Sequence, residues 1–204
     1  MSKLEAQAPG YLSIKLSLRI WFKAIAQPFL SSYNELAEIR TKPLQAYVWI
    51  VGSGLITGLI IFLLNWGIGV KKQLPINSTD LRNIFLDPLF ALILFSLSVC
   101  SIHLAAKILG GKGTFERFAF LVSCFYAPLV AILDVLSTYI YGSFVILIPF
   151  YILILYLFIL FVLAVKVVHG FSSIRSFFTT FVPYLAGSII IILLLISKYI
   201  SAGK

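Results

Sequence analysis

The chain has 204 residues, of which 61% are hydrophobic and only 11% charged, with a formal net charge of +9 and a mean hydropathy of +1.06. Soluble domains carry roughly a quarter of their residues as charges. The composition therefore excludes a soluble enzyme or a nucleic-acid-binding domain and indicates an all-α, multi-pass integral membrane protein. Its two cysteines, Cys100 and Cys124, both lie in apolar runs, so no disulfide framework or paired metal spacing follows from them.

The N-terminal stretch lacks a continuous apolar run and does not read as a cleavable secretory signal. Within it, "YLSIKLSLRIWFKAIAQPFL" is amphipathic on a helix. Lys15, Arg19 and Lys23 recur at i, i+4 and i+8, with Leu12, Ile14, Leu18, Trp21, Phe22 and Ile25 around the rest. That pattern suits a helix lying among anionic headgroups. "LSIKLSLRI" also alternates with period two, as a strand would, but no other strand is in sight to pair with it. "SSYNELAEIR" then reads as a short polar helix or linker.

Five apolar runs follow, each near the roughly 20 residues that cross a bilayer. The first covers Leu44 to Val70, just after Pro43, and the second opens at Asp87 and Pro88 and ends at Leu109. Asp87 is a candidate N-cap and Pro88 suits a first turn. The third runs from about Thr114 to Leu136, the fourth from Phe144 to Val168, and the fifth from Phe177 to Ile200. Continuous apolarity argues against a strand barrel, whose strands alternate. The expected organisation is a cytoplasmic segment 1–43, a five-helix membrane domain 44–200 and a tail 201–204. Pro128, Pro149 and Pro183 fall inside the last three spans, where they favour kinks. Gly54 and Gly58 on the first span, and Ser123, Ala127 and Ala131 on the third, form small-residue faces for close helix packing.

Lys and Arg set the topology. With five spans, one side holds Lys3, Lys15, Arg19, Lys23, Arg40, Lys42, Lys107, Lys112, Arg117, Lys166 and Arg175, which is 11 of them. The other holds Lys71, Lys72, Arg82, Lys198 and Lys204, which is 5, and "STYIYGS" between the third and fourth spans holds none. The richer side is expected to be cytoplasmic, with the N-terminus on it.

"LGGKGTFER", Leu109 to Arg117, is the most polar break in the C-terminal half. A phosphate-binding P-loop requires G-x-x-x-x-G-K-[ST] between a strand and a helix. Here Lys112 precedes the last glycine and the flanks are membrane helices, so a tight hairpin is expected. Gly110, Gly111 and Gly113 would take left-handed conformations, and Lys112 and Arg117 would meet lipid phosphates. His103, Lys107, Asp134 and Lys166 are the ionisable residues in or near the spans. Lys107 and Lys166 sit at span ends and can snorkel. Asp134 lies near the outer end of the third span, and His103 is the interior candidate, one turn deeper than Lys107. No catalytic signature of the nucleophile-elbow or H-E-x-x-H kind appears, and no cofactor is implied. A non-enzymatic membrane-organising or adaptor role is expected, with a small transporter or channel subunit as the alternative.

Three stretches carry a family resemblance: "AQPFLSSYNELAEIRTKP" before the first span, "HLAAKILGGKGTFERFAFLVSCFYAPLV" joining the second and third, and "AVKVVHGFSSIRSFFTTFVP" joining the fourth and fifth. From about Phe22 to Ile200 the chain resembles the Yip family of five-span membrane proteins. The most specific part is the "LGGKG-S/T-F" turn, here Gly110, Gly111, Lys112 and Gly113 within Leu109 to Phe115, followed by a Tyr-Ala-Pro centre at Tyr126 to Pro128. The "HG-x-S" turn at His169 and Gly170 adds to it. The resemblance implies a helical bundle with a cytoplasmic N-terminus. Eukaryotic members often carry longer cytosolic regions and are associated with prenylated Rab GTPases and vesicle traffic. With about 43 residues before its first span, this chain is similar to the short prokaryotic members. That places it in a prokaryotic inner membrane, with the bilayer, a second copy or another membrane protein as partner.

Overall fold

The computed structural model describes residues 13–39, 44–72, 78–139 and 144–202, with side chains at 13–39, 44–67, 84–138 and 145–189. Pro43, most of the third loop, the first twelve residues and the last two lie outside the described residues. The described residues form seven helices and no strand: α1 (Ile14–Ala26), α2 (Leu30–Ala37), α3 (Leu44–Lys72), α4 (Ser78–Ile108), α5 (Phe115–Tyr139), α6 (Phe144–His169) and α7 (Ser173–Ala202).

Four of them are long and apolar enough to cross a membrane: Leu44–Gly67, Ile84–Ile108, Phe115–Thr138 and Val145–His169. Their outward faces are apolar and uncovered. Leu55, Ile56, Leu59 and Leu63 on α3, Leu89, Ile93 and Leu97 on α4, and Ile148, Ile152 and Leu155 on α6 are all exposed. A surface of that kind is stable in hydrocarbon and unstable in water. The chain is a multi-pass membrane protein.

α5 is the most buried of the four and touches α1, α2, α3, α4 and α6. Phe118, Leu121, Val122, Phe125 and Leu129 on α5 meet Phe95, Val99 and Ile102 of α4, and Leu160, Phe161 and Val165 of α6, in one core. α7 packs on α6 and α4. Pro128, Pro149 and Pro183 each lie inside a continuous helix.

Five hydroxyls of this interior are satisfied by helix carbonyls, as a bilayer favours. Thr57 Oγ1 donates to Ser53 O (3.0 Å), Ser123 Oγ to Phe120 O (2.7 Å), Thr179 Oγ1 to Arg175 O (2.7 Å) and Thr180 Oγ1 to Ser176 O (2.9 Å). Ser53 Oγ reaches across to Ala127 O and ties α3 to α5. The small-residue faces turn inward. A Cβ on Gly54 would sit 2.5 Å from the Pro88 Cα, so the glycine admits α4 against α3, and Ser123 and Ala127 are buried.

Two boundaries differ from the sequence expectation. α4 begins at Ser78, not Asp87, and Pro88 is an interior residue of it. Ten residues into the helix, Pro88 can donate no backbone hydrogen bond to the preceding turn, and Gly54 on the facing helix leaves room for its close approach. α7 begins at Ser173, four residues ahead of Phe177, because Ser172 caps it. The Ser172 hydroxyl accepts from Arg175 N (3.4 Å), and Ser172 O accepts from Ser176 N (2.9 Å).

Candidate functional site

Several polar residues meet at one end of the bundle, where the α4–α5 turn meets the α6–α7 turn. α4 ends in a Schellman motif. Gly111 N donates to Ala106 O (2.8 Å) and Gly110 N to Lys107 O (2.9 Å), with Gly110 left-handed at φ +80°. α6 ends in the simpler single-bond cap: Gly170 N donates to Lys166 O (3.0 Å), and Gly170 has φ +70°. These are the glycines that need positive φ among the described residues.

Gly111 and Gly113 were expected to be left-handed as well, and they are not. Their role is close approach. A Cβ on Gly111 would lie 2.5 Å from His169 Nδ1 and 2.8 Å from Ala106 O. One on Gly113 would lie 2.6 Å from Val168 O. The α4–α5 turn therefore rests directly on the backbone end of α6, and Lys112 N faces His169 O at 3.5 Å. The two motifs "LGGKG" and "HG", 59 residues apart by their Gly111 and Gly170 positions, form one tertiary unit.

The same contact brings the two histidines together. The His103 and His169 ring centroids are 5.1 Å apart, inside an aromatic sleeve of Phe115, Phe118 and Phe171. His169 is only 2% exposed, and neither of its ring nitrogens has a partner among the described residues. His103 Nδ1 is likewise unpartnered. From sequence these residues stood on separate helices with nothing to join them.

Arg175, which the sequence reading counted only as a positive charge, proves to be the strut between the turns. Its guanidinium donates to Leu109 O, the carbonyl at the end of α4, and lies over the Phe171 ring with its carbon 4.4 Å from the centroid. Lys166 Nζ donates to Ser173 Oγ (2.8 Å) across the same turn. Lys112 is exposed. Lys112, His169, Gly170, Phe171 and Arg175 line a cleft of about 320 Å³ at this end.

The N-terminal helices reach the same end. Arg117, expected to stay wet beside Lys112, donates from Nε to Ala37 O (2.7 Å) and so holds the last turn of α2 against the start of α5. Tyr33 of α2 donates to Ala24 O (3.2 Å), and Tyr156 of α6 to Ile25 O, so two carbonyls in the last turn of α1 are satisfied by the bundle. Burial holds the Tyr33 phenol in its neutral, donating form by pushing its pKa up. Trp21 stacks edge-on against Trp49 at 5.7 Å. α1 thus buries Ser17, Ile20 and Ala24 and leaves Ile14, Leu18 and Phe22 exposed beside exposed Lys15 and Arg19. Lys23, expected in the headgroup-facing stripe, instead pairs with Glu35 of α2.

Tyr126 and Pro128 do not belong to this end. At the helical rise they lie about 16 and about 20 Å along α5 from Phe115. Tyr126 is a buried node whose ring meets Phe95 at 5.4 Å and Phe161 at 6.1 Å. Asp134 lies farther still along α5, and its backbone carbonyl accepts from Ser137 and Thr138 hydroxyls. Among the described residues no group of three or more His, Cys, Asp or Glu is placed to hold a metal ion. Comparison with known protein families, curated proteins and solved structures finds no match.

Proposed function

We propose that the chain is a Yip-type, non-enzymatic membrane protein with five spans and a cytoplasmic N-terminus, acting as a membrane organiser or adaptor. The observation that carries this reading is the union of the two turns on which the resemblance rests. Gly110 and Gly170 supply left-handed caps, and Gly111 and Gly113 supply the contact. Each glycine of the motif has a use in the contact between the turns, which favours a docked hairpin over a loop that wraps a nucleotide.

The topology has support from the same contacts. Arg117 to Ala37, Arg175 to Leu109 and Lys112 to His169 tie the N-terminal segment, the second loop and the fourth loop to one end. Among the described residues that end carries most of the Lys and Arg, and the positive-inside rule favours it as the cytoplasmic side. α7, at 30 residues, is long enough for the fifth span.

The adaptor reading is favoured over a transporter by the interior hydroxyls. Ser53, Thr57, Ser123, Thr179 and Thr180 all donate to helix carbonyls and offer no converging polar path. Photo-crosslinking from positions 19 and 112 of the full chain in native membranes tests the role, with proteoliposome ion and proton flux measured in parallel. Reproducible protein adducts without flux are expected. Saturable flux with no protein adduct would overturn the reading. Labelling of Lys112→Cys and Ser143→Cys from the two sides tests topology, and cytoplasmic access to position 143 would refute it.

A further inference from the structure

We infer that the cleft between the α4–α5 and α6–α7 turns is a binding site for the phosphate group of an anionic lipid headgroup, held by Lys112 and Arg175. This is independent of the adaptor reading, since it rests on the cleft alone. None of the eight residues lining the cleft is acidic, and two are permanently or normally cationic. The volume of about 320 Å³ accommodates a headgroup.

Arg175 is fixed before any ligand arrives. One guanidinium N–H is held by Leu109 O and the plane rests on Phe171. Its remaining N–H groups have no partner among the described residues, and a guanidinium presents donors in a planar fork suited to phosphate oxygens. Lys112 brings a second cation on a turn whose backbone cannot drift, because Gly111 and Gly113 are seated on α6. Its ammonium has no partner among the described residues. His169 also lines the cleft, 2% exposed, with both ring nitrogens buried and without a partner among the described residues. An immobilised fork and a tethered ammonium around one cavity make a pre-organised anion site, unlike the scattered surface lysines of a merely basic face.

The surroundings favour a lipid over a free anion. Ile108 and Ile174 flank the cleft residues in sequence and are 77% and 72% exposed, and Phe178 one turn further along α7 is also exposed. A phosphate seated between Lys112 and Arg175 leaves its acyl chains beside these side chains, in the plane where α4 and α7 enter the bilayer. The inorganic ion makes no use of that apolar rim.

The test is native mass spectrometry of the full-length chain in detergent, titrated with phosphatidic acid and with diacylglycerol of the same chains. Millimolar inorganic phosphate is the competitor. The expected result is a saturable single-lipid adduct with phosphatidic acid, none with diacylglycerol, and little competition by phosphate. Lys112→Ala, on an exposed turn, and Arg175→Gln, which keeps a donor for Leu109 O, should each weaken the adduct about tenfold. Their unfolding transitions, measured alongside, confirm that both variants fold. Lys15→Ala/Arg19→Ala should change it less than about twofold. Full competition by inorganic phosphate would keep the anion site but overturn the lipid as its ligand. Equal binding of diacylglycerol, or a loss confined to the Lys15/Arg19 variant, would overturn the site altogether.

Discussion

Replacing Gly113 by alanine adds a single methyl group, and the structure says where it goes. It would meet Val168 at its Cγ1, at O (2.6 Å) and at C (2.9 Å). Ordinary contact begins at 3.4 Å, so relief of the carbonyl contact alone requires a shift of 0.8 Å. Val168 cannot yield by rotation. Two of the three atoms are backbone, and the side chain is β-branched and stiff at χ1. The turn must lift, which separates Gly111 from His169 and Lys112 N from His169 O. Overpacking of this kind costs about 1–3 kcal/mol, and a backbone clash belongs at the upper end. Gly52 is the matched control. It lies in mid-α3 with nothing within 4 Å of its added Cβ, so Gly52→Ala should gain about 0.5–1 kcal/mol from helix propensity. The assay is reversible unfolding in mixed micelles followed by tryptophan fluorescence, since Trp21 and Trp49 report on the α1–α3 contact. Effects of opposite sign are expected. Gly113→Ala indistinguishable from wild type, or both substitutions shifting the same way, would refute the close-approach argument.

Gly170→Ala meets no atom but must hold φ +70°, so it should cost about 1–2 kcal/mol through backbone strain alone, and Gly170→Asn should recover part of that in the same unfolding assay. Gly54→Ala should push α3 off α4 at Pro88, and a disulfide or spin-label distance between the two helices should lengthen. An unchanged distance would show that the helices do not need the glycine. Tyr33→Phe removes the bond to Ala24 O and should cost about 1 kcal/mol at neutral pH. The folded-state pKa of Tyr33 is raised by burial, so its contribution is complete below the unfolded tyrosine pKa of about 10 and is lost as pH rises above it. Unfolding titrated from pH 9 to 11 should therefore fall less steeply in Tyr33→Phe than in the wild type, and identical slopes would contradict this.

The sequence by itself determined the solvent of this protein and the existence of its long helices. Apolar runs near 20 residues, broken by Gly, Pro and charge, leave few alternatives to membrane helices, because a bilayer demands that each backbone group be bonded within its own segment. The starts of α3, α5 and α6 were legible within a residue for the same reason. The starts of α4 and α7 were not, because an Asp-Pro pair resembles a helix start even when, as here, it lies well inside one, and the Ser172 cap lies in a polar run with several candidate caps. Local spacing also showed that "LGGKG" and "HG" are turns, since glycine past a helix end is a local requirement. It could not show that the turns touch, for that is a long-range contact with no periodic signature. Gly111 and Gly113 looked like conformational glycines, and only the packed α6 end reveals them as steric ones. Lys23, Arg117 and Arg175 looked alike as positive charges. Tertiary structure gave the first to Glu35, the second to Ala37 O and the third to the wall of the cleft, because which partner a long, flexible cation meets is decided by where neighbouring helices end.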